Sequence, residues 1–242
     1  MENDNFQKKD VEFDKVAEDY DAYLRSLGIG DDTDKFAEYK VKLLHELVGD
    51  KLISILDFGC GTGRGLKFFD KYFDTSNKQI QLWGCDVSDD SLQVAKKDIP
   101  QAELFRDTTP DEFLKINASW SLIFLSCVFH HIPIKERQEW VRAIYEKTDK
   151  GGYIAVFEHN IINPFTKKII TSPQNELDHV ENMLTHKQLI KLLMNSGVGS
   201  QLFWDGYTLF FPKRFRAATL IERMFKFVPL GAQHCVIIRK GD

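Results

Sequence analysis

Two hydrophobic rhythms alternate along this chain from Lys51 onward. Short apolar runs of strand length fall at Ile53–Asp57, Gln79–Cys85, Glu103–Arg106, Leu122–Ser126 and Tyr153–Glu158. Between them lie amphipathic stretches that predict helices over about Gly65–Tyr72, Ser88–Asp98 and Ile134–Lys147. Strands that alternate with helices predict a parallel, doubly wound α/β sheet. Upstream, Val11–Leu24 carries Phe13, Val16, Tyr20, Tyr23 and Leu24 among acids, the pattern of an amphipathic helix. Gly28-Ile29-Gly30 breaks it, and Asp31–Asp34 caps a second helix whose Phe36, Tyr39, Leu43, Leu44 and Leu47 share one face up to Gly49.

After the fifth strand the rhythm stops. Residues 160–184 are polar, contain Asn163-Pro164 and Ser172-Pro173, and read as an insertion. A helix follows over Thr185–Ser196, and late strands at Tyr207–Phe211 and His234–Arg239 bring the sheet to seven. The expected organisation is a disordered tail over 1–10, a helical cap over 11–50 and one domain over 51–242. Cap and insertion are expected to close over a ligand.

Composition narrows the partners. The chain has 242 residues, 43% of them hydrophobic, enough to bury the core of one domain. A net charge of -4 gives no basic footprint for nucleic acid. The four cysteines lack Cys-x-x-Cys spacing and read as free thiols of a cytoplasmic protein. No apolar stretch approaches the ~20 residues of a membrane span. The basic segment Lys213–Phe227 has apolar residues at helical spacing. It fits first a helix packed on the sheet, and second a weak contact with a membrane surface.

Candidate chemistry gathers at strand ends, where open α/β sheets bind ligands. The first strand runs into Asp57-Phe58-Gly59-Cys60-Gly61-Thr62-Gly63. Glycines 59, 61 and 63 allow close backbone approach, but the third glycine of a dinucleotide loop is missing. A carboxylate beside such a loop suits a cationic ammonium group better than a pyrophosphate, so S-adenosylmethionine is the expected cofactor. Asp86, after the second strand with Val87, is placed to accept hydrogen bonds from ribose hydroxyls. Asp107-Thr108 follows the third strand, where an acid suits an adenine amino group. Ser126-Cys127-Val128 ends the fourth strand and leads into Phe129-His130-His131. His131, and after it His159 at the end of the fifth strand, are the candidate proton acceptors. Equally open at this point is a role in which these histidines only pack around the cofactor. The acidic cluster that would hold magnesium after strand four is absent, so no metal is expected.

Together these residues resemble a class I S-adenosylmethionine-dependent methyltransferase, with the Rossmann-like sheet that this implies. The resemblance rests on Leu56–Gly63, Asp86, Val128–Ile132 and the turn Lys150-Gly151-Gly152-Tyr153. It assigns Asp57, Gly59, Cys60, Gly61, Gly63, Asp86, Val87, Asp107, Thr108, Ser126, Cys127 and Val128 to the cofactor. The family's aspartate at the start of strand four is replaced by Ser121. Tyr20-Asp21, Phe157–Pro164 and Pro229–Gln233 resemble bacterial members associated with glycan or surface-polysaccharide synthesis, which implies a sugar, glycan or other small-molecule acceptor. Asn163-Pro164-Phe165 is similar to the segment that methylates base amino groups, but it follows strand five and takes no such role here. The expected reaction is O-methylation by in-line transfer, with S-adenosylhomocysteine as product. The alternative is a non-catalytic module that binds S-adenosylmethionine or a partner.

Overall fold

Every residue of β1 (Ser54–Phe58) is buried, as the middle of a sheet covered on both faces requires. The computed structural model describes residues 22, 26–27, 33–73, 80–106, 109–175, 177–210 and 224–241. Most of the expected cap before Thr33, Asp107, Thr108 and most of the basic segment 213–227 lie outside the described residues.

Around β1 the chain places α1 (Thr33–Val48), α2 (Arg64–Phe73), β2 (Gln81–Asp86), α3 (Asp89–Asp98), β3 (Glu103–Arg106) and α4 (Pro110–Lys115). Then come β4 (Trp120–Ser126), α5 (Arg137–Lys147), β5 (Thr148–His159), α6 (Pro164–Ile170), α7 (His186–Met194), β6 (Gln201–Thr208) and β7 (Gln233–Arg239). The sheet order is β3-β2-β1-β4-β5-β7-β6. Strands β1 to β5 run parallel, and β7 lies antiparallel between β5 and β6. The doubly wound, mostly parallel seven-stranded sheet expected from the alternation is the one observed.

Pleating divides the core into two halves. On one face Ile55, Phe124 and Phe157 pack with Val41 and Leu44 of α1 and Leu66 and Phe69 of α2. On the other, Leu56, Ile123 and Val156 pack with Trp140 and Ile144 of α5 and Leu189 of α7. Trp120, wholly buried, stacks on Phe113 at 5.7 Å and Phe105 at 6.2 Å. At the opposite end from the site, Ser121 Oγ accepts from the amides of Ile53 and Ser54 at 3.0 Å and donates to the Ser54 carbonyl at 2.7 Å. Ser121 thus staples β4 to β1.

Three expectations need correction. The sixth strand is Gln201–Thr208 rather than Tyr207–Phe211. Leu209, at φ 61, turns the backbone out of the strand, and Gln201 pairs with Arg239. The fifth strand starts at Thr148, because Thr148 pairs with Trp120 across an irregular register ahead of the glycines. The turn after β3 holds a helix the periodicity missed, α4, with Thr109 as N-cap and Pro110 in the first turn. The insertion is also partly helical. Asn163 caps α6 through Phe165 and Thr166 amides and donates to the Leu230 carbonyl, so Asn163-Pro164-Phe165 is a helix start.

Candidate active site

The loop after β1 is built by its glycines. Gly59, Gly61 and Gly63 have φ of 72, 51 and 81°, a region side chains disfavour. The amides of Gly59 and Cys60 donate to the Cys85 carbonyl at 2.8 and 2.9 Å, tying the loop to the end of β2. A Cβ on Gly59 would meet Val128 Cγ2 at 2.6 Å, so the end of β4 closes on the loop. A Cβ on Gly61 would meet nothing within 4 Å. The Cys60 thiol, buried, is pushed well above its ordinary value by burial and then by Asp57 and Asp86.

The two acids behave differently. Asp86 is half-buried and accepts from the amides of Gly61 at 2.8 Å and Ser88 at 3.0 Å, and Val87 offers its carbonyl to Arg106 Nε at 3.0 Å. Asp57 is 3% exposed and has no hydrogen-bond partner among the described residues. Burial, then the negative charge of Asp86, push its carboxyl from 3.8 up to about 7, against the pull of Lys40. Lys40 comes from α1 and is 5% exposed. Its Nζ donates to Ser126 Oγ at 2.7 Å and stands 5.7 Å from the Phe157 ring centre.

Beyond β4 lies a second cluster. Cys127 takes a left-handed φ of 61°, a strained conformation held by its amide donating to the Phe157 carbonyl at 2.8 Å. Glu158, fully buried, accepts from the Phe129 amide at 2.8 Å and faces His130 Nδ1 at 2.6 Å. His130 Nε2 faces Asp178 Oδ1 at 3.0 Å, and His131 Nε2 lies 3.7 Å from the same oxygen. Burial works against a charged His130, but Glu158 and Asp178 overcome it and hold the ring up to about 10. Burial likewise opposes ionisation of Asp178, and the hydrogen bond from His130 with the charge of His159 outweighs it. His159 and the Cys127 thiol favour each other's charged forms against burial, raising the imidazole and lowering the thiol. Gln233 Nε2 donates to Cys127 Sγ at 3.1 Å.

The described candidates meet at one rim. Asp57, the glycine loop, Asp86, Ser126–Val128, His131 and His159 all stand at the carboxyl ends of β1, β2, β4 and β5. Sequence reasoning missed Lys40, Asp178 and Gln233. A signal existed for Lys40 alone, a lysine at i+4 from Phe36 and i−4 from Leu44 on an apolar helix face. Asp178 is held by the insertion, through Asn175 at 3.1 Å. Arg137 secures the insertion nearby, donating to the carbonyls of Ile132 at 3.0 Å and Asn182 at 2.6 Å.

Comparison with known proteins agrees with this geometry. The family described as "Methyltransferase domain" matches residues 56–154. Among solved structures, the plantazolicin methyltransferase BpumL, crystallised with a triazolic desmethylPZN analog and SAH, is 15% identical. It covers 99% of each chain with a TM-score of 0.66. An S-adenosylmethionine-dependent methyltransferase from Clostridium acetobutylicum ATCC 824 is 13% identical, covers 92% of this chain and 98% of its own, and has a TM-score of 0.63. The plantazolicin methyltransferase BamL, at 18% identity, covers 98% and 91% with a TM-score of 0.61. No functionally curated protein matches the chain. At these identities the likeness shows the fold, and the domain match adds the family of the central segment. Residues 56–154 thus match a methyltransferase domain, and the whole chain has the fold of S-adenosylmethionine-dependent methyltransferases.

The residues present suit S-adenosylmethionine. A buried carboxylate at Asp57, with no hydrogen bond from the described residues, matches its ammonium group. The open side of Gly61 leaves room for backbone approach, and Asp86 brings two acceptor oxygens, the kind of group that ribose hydroxyls need, to the end of β2.

Proposed function

We propose that the chain transfers a methyl group from S-adenosylmethionine to an oxygen of a small-molecule or sugar acceptor. Asp57 would hold the donor's ammonium group, Asp86 its ribose, and the backbone of Gly59–Gly63 the methionine portion; Asp107 and Thr108 are proposed for the adenine. The bound donor supplies an activated methyl on a sulfonium, so the chain's task is alignment, a contribution of ~7–11 kcal/mol when well made. His131 is proposed as proton acceptor, oriented by Asp178, with His159 as second candidate; such a base adds ~10²–10⁴-fold in rate. His130 stands between two carboxylates and serves to position Asp178.

One observation carries this reading. The glycine loop and the histidine cluster share the carboxyl edge of adjacent parallel strands, and Val128 packs on Gly59 between them. The N-terminal cap and the insertion 160–184 are proposed to enclose the acceptor. Their support is that Lys40 reaches Ser126 and Asp178 reaches His130 from those segments. Only the glycan-associated likeness of Phe157–Pro164 and Pro229–Gln233 supports a sugar acceptor. These segments do pack together, with Asn160 Nδ2 donating to the Gly231 carbonyl at 2.8 Å.

The test is methyl transfer to a panel of sugars, phenols and azole peptides, read by mass spectrometry for wild type, His131→Ala and His159→Ala. A product methylated on the acceptor's hydroxyl oxygen, with a rate at least about tenfold lower in His131→Ala, is expected. An undiminished rate in both variants would remove both histidines from the role, and a product methylated only on nitrogen would overturn O-methylation.

A further inference from the structure

Three separate segments bring metal-ligating groups to one point. His130 comes from the loop after β4, His159 from the end of β5 and Asp178 from the insertion, and one ligand atom of each lies within 4.8 Å of the others. We propose that His130, His159 and Asp178 form a binding site for a divalent transition-metal ion, with zinc the best match to two imidazoles and a carboxylate.

Spacing supports this. Zinc bonds of about 2.0–2.1 Å at tetrahedral angles place neighbouring ligand atoms about 3.3 Å apart. His130 Nε2 and Asp178 Oδ1 stand at 3.0 Å, so a cation between them requires only slight opening. His159 then closes from within 4.8 Å.

Two of the three ligands also have an outer partner of the kind that orients metal ligands. Glu158 Oε2 meets His130 Nδ1 at 2.6 Å and directs Nε2 toward the site. Asn175 Nδ2 donates to Asp178 Oδ2 at 3.1 Å, leaving Oδ1 for the site. With neutral imidazoles, the charges of Glu158 and Asp178 balance a divalent cation. No local ligand spacing announces the site, because its members are distant in the chain. The site goes beyond the proposed methyl transfer and holds whatever the acceptor is. Its consequence for that reaction is that His159 and Asp178 Oδ1 are committed to the metal, leaving His131 as proton acceptor without Asp178 to orient it whenever the ion is bound.

The rival occupant is a proton shared between His130 and Asp178. Titration of tag-free, chelator-stripped full-length chain with Co²⁺ and, by calorimetry, with Zn²⁺ separates the two. The expected result is one saturable equivalent with visible cobalt bands. Affinity should fall at least about tenfold in Asp178→Asn and in His159→Ala, and by a similar factor in the outer variant Glu158→Gln. Circular dichroism and S-adenosylhomocysteine binding report that each variant is folded. Absence of a saturable equivalent in wild type, or unchanged affinity in folded Asp178→Asn, would overturn the site. Metal binding without any methyl transfer would count against the proposed function and leave the site standing.

Discussion

Replacing Asp57 by Asn should stabilise the empty protein and weaken its grip on the donor. The Asp57 carboxyl rises from 3.8 to about 7 because burial, and then Asp86, penalise its charge. A carboxyl whose value is raised by folding favours the fold while protonated. Its penalty appears as pH rises past the unfolded value and is complete above about 7. At about 1.4 kcal/mol per pH unit, the charged form costs the empty fold about 4 kcal/mol at pH 8. Asn removes the charge but leaves a buried amide to satisfy, at about 1–3 kcal/mol. The net gain is about 1–3 kcal/mol, a rise in Tm of about 2–12 °C at pH 8 that shrinks as pH falls and reverses near pH 4, where only the cost of the amide remains. The donor's ammonium reverses the preference, since it binds the carboxylate. Wild-type affinity for S-adenosylhomocysteine should therefore climb about tenfold per pH unit below 7 and level off above it. Asp57→Asn should bind more weakly at pH 8 with that pH dependence removed. Thermal melts and calorimetry from pH 5 to 8 read both effects. Parallel pH profiles for the two proteins, in melting and in binding, would refute the argument.

Other substitutions probe the same frame. Lys40→Met removes the positive charge that holds Asp57 down, so the decline in stability should start at the same pH but run on to a higher one and go deeper, a change visible in melts of the empty protein. Gly59→Ala must shift Val128 and carry φ of 72°, and should cost about 1–3 kcal/mol in chemical denaturation. Adding Val128→Ala should recover only part, because the backbone strain remains. Trp120→Ala empties a wholly buried site among stacked rings and should cost about 3–5 kcal/mol by urea denaturation while leaving the donor site intact.

Local rules made β1, β4 and most of β5 legible, because strands buried on both faces write their apolar runs directly into the sequence, while β2 and the partly exposed β3 were legible from their place between helices. The edge strand β6 escaped. Leu202 and Phe203 are 43% and 39% exposed, so its apolar residues mark no single face, and the run at Tyr207–Phe211 drew the assignment instead. The helix at Pro110 carried its start signals, a Thr cap and a first-turn proline, but it is too short for periodicity to show. At the site, Asp57 and Asp86 were readable because the glycine loop fixes their neighbours in sequence. His130 and His131 were readable as a pair. Their carboxylate Asp178 was not, since a fold that returns an insertion to the sheet edge brings together residues that no spacing rule connects.

The account stands on donor binding at the ends of β1 and β2, and calorimetric titration of S-adenosylhomocysteine into wild type and Asp86→Ala tests it most directly. The account predicts one equivalent bound by wild type and an affinity at least about tenfold lower in the variant, the loss expected for charge-assisted hydrogen bonds worth about 1.5–3 kcal/mol. Equal affinity in a folded variant, or no binding to wild type, would contradict it.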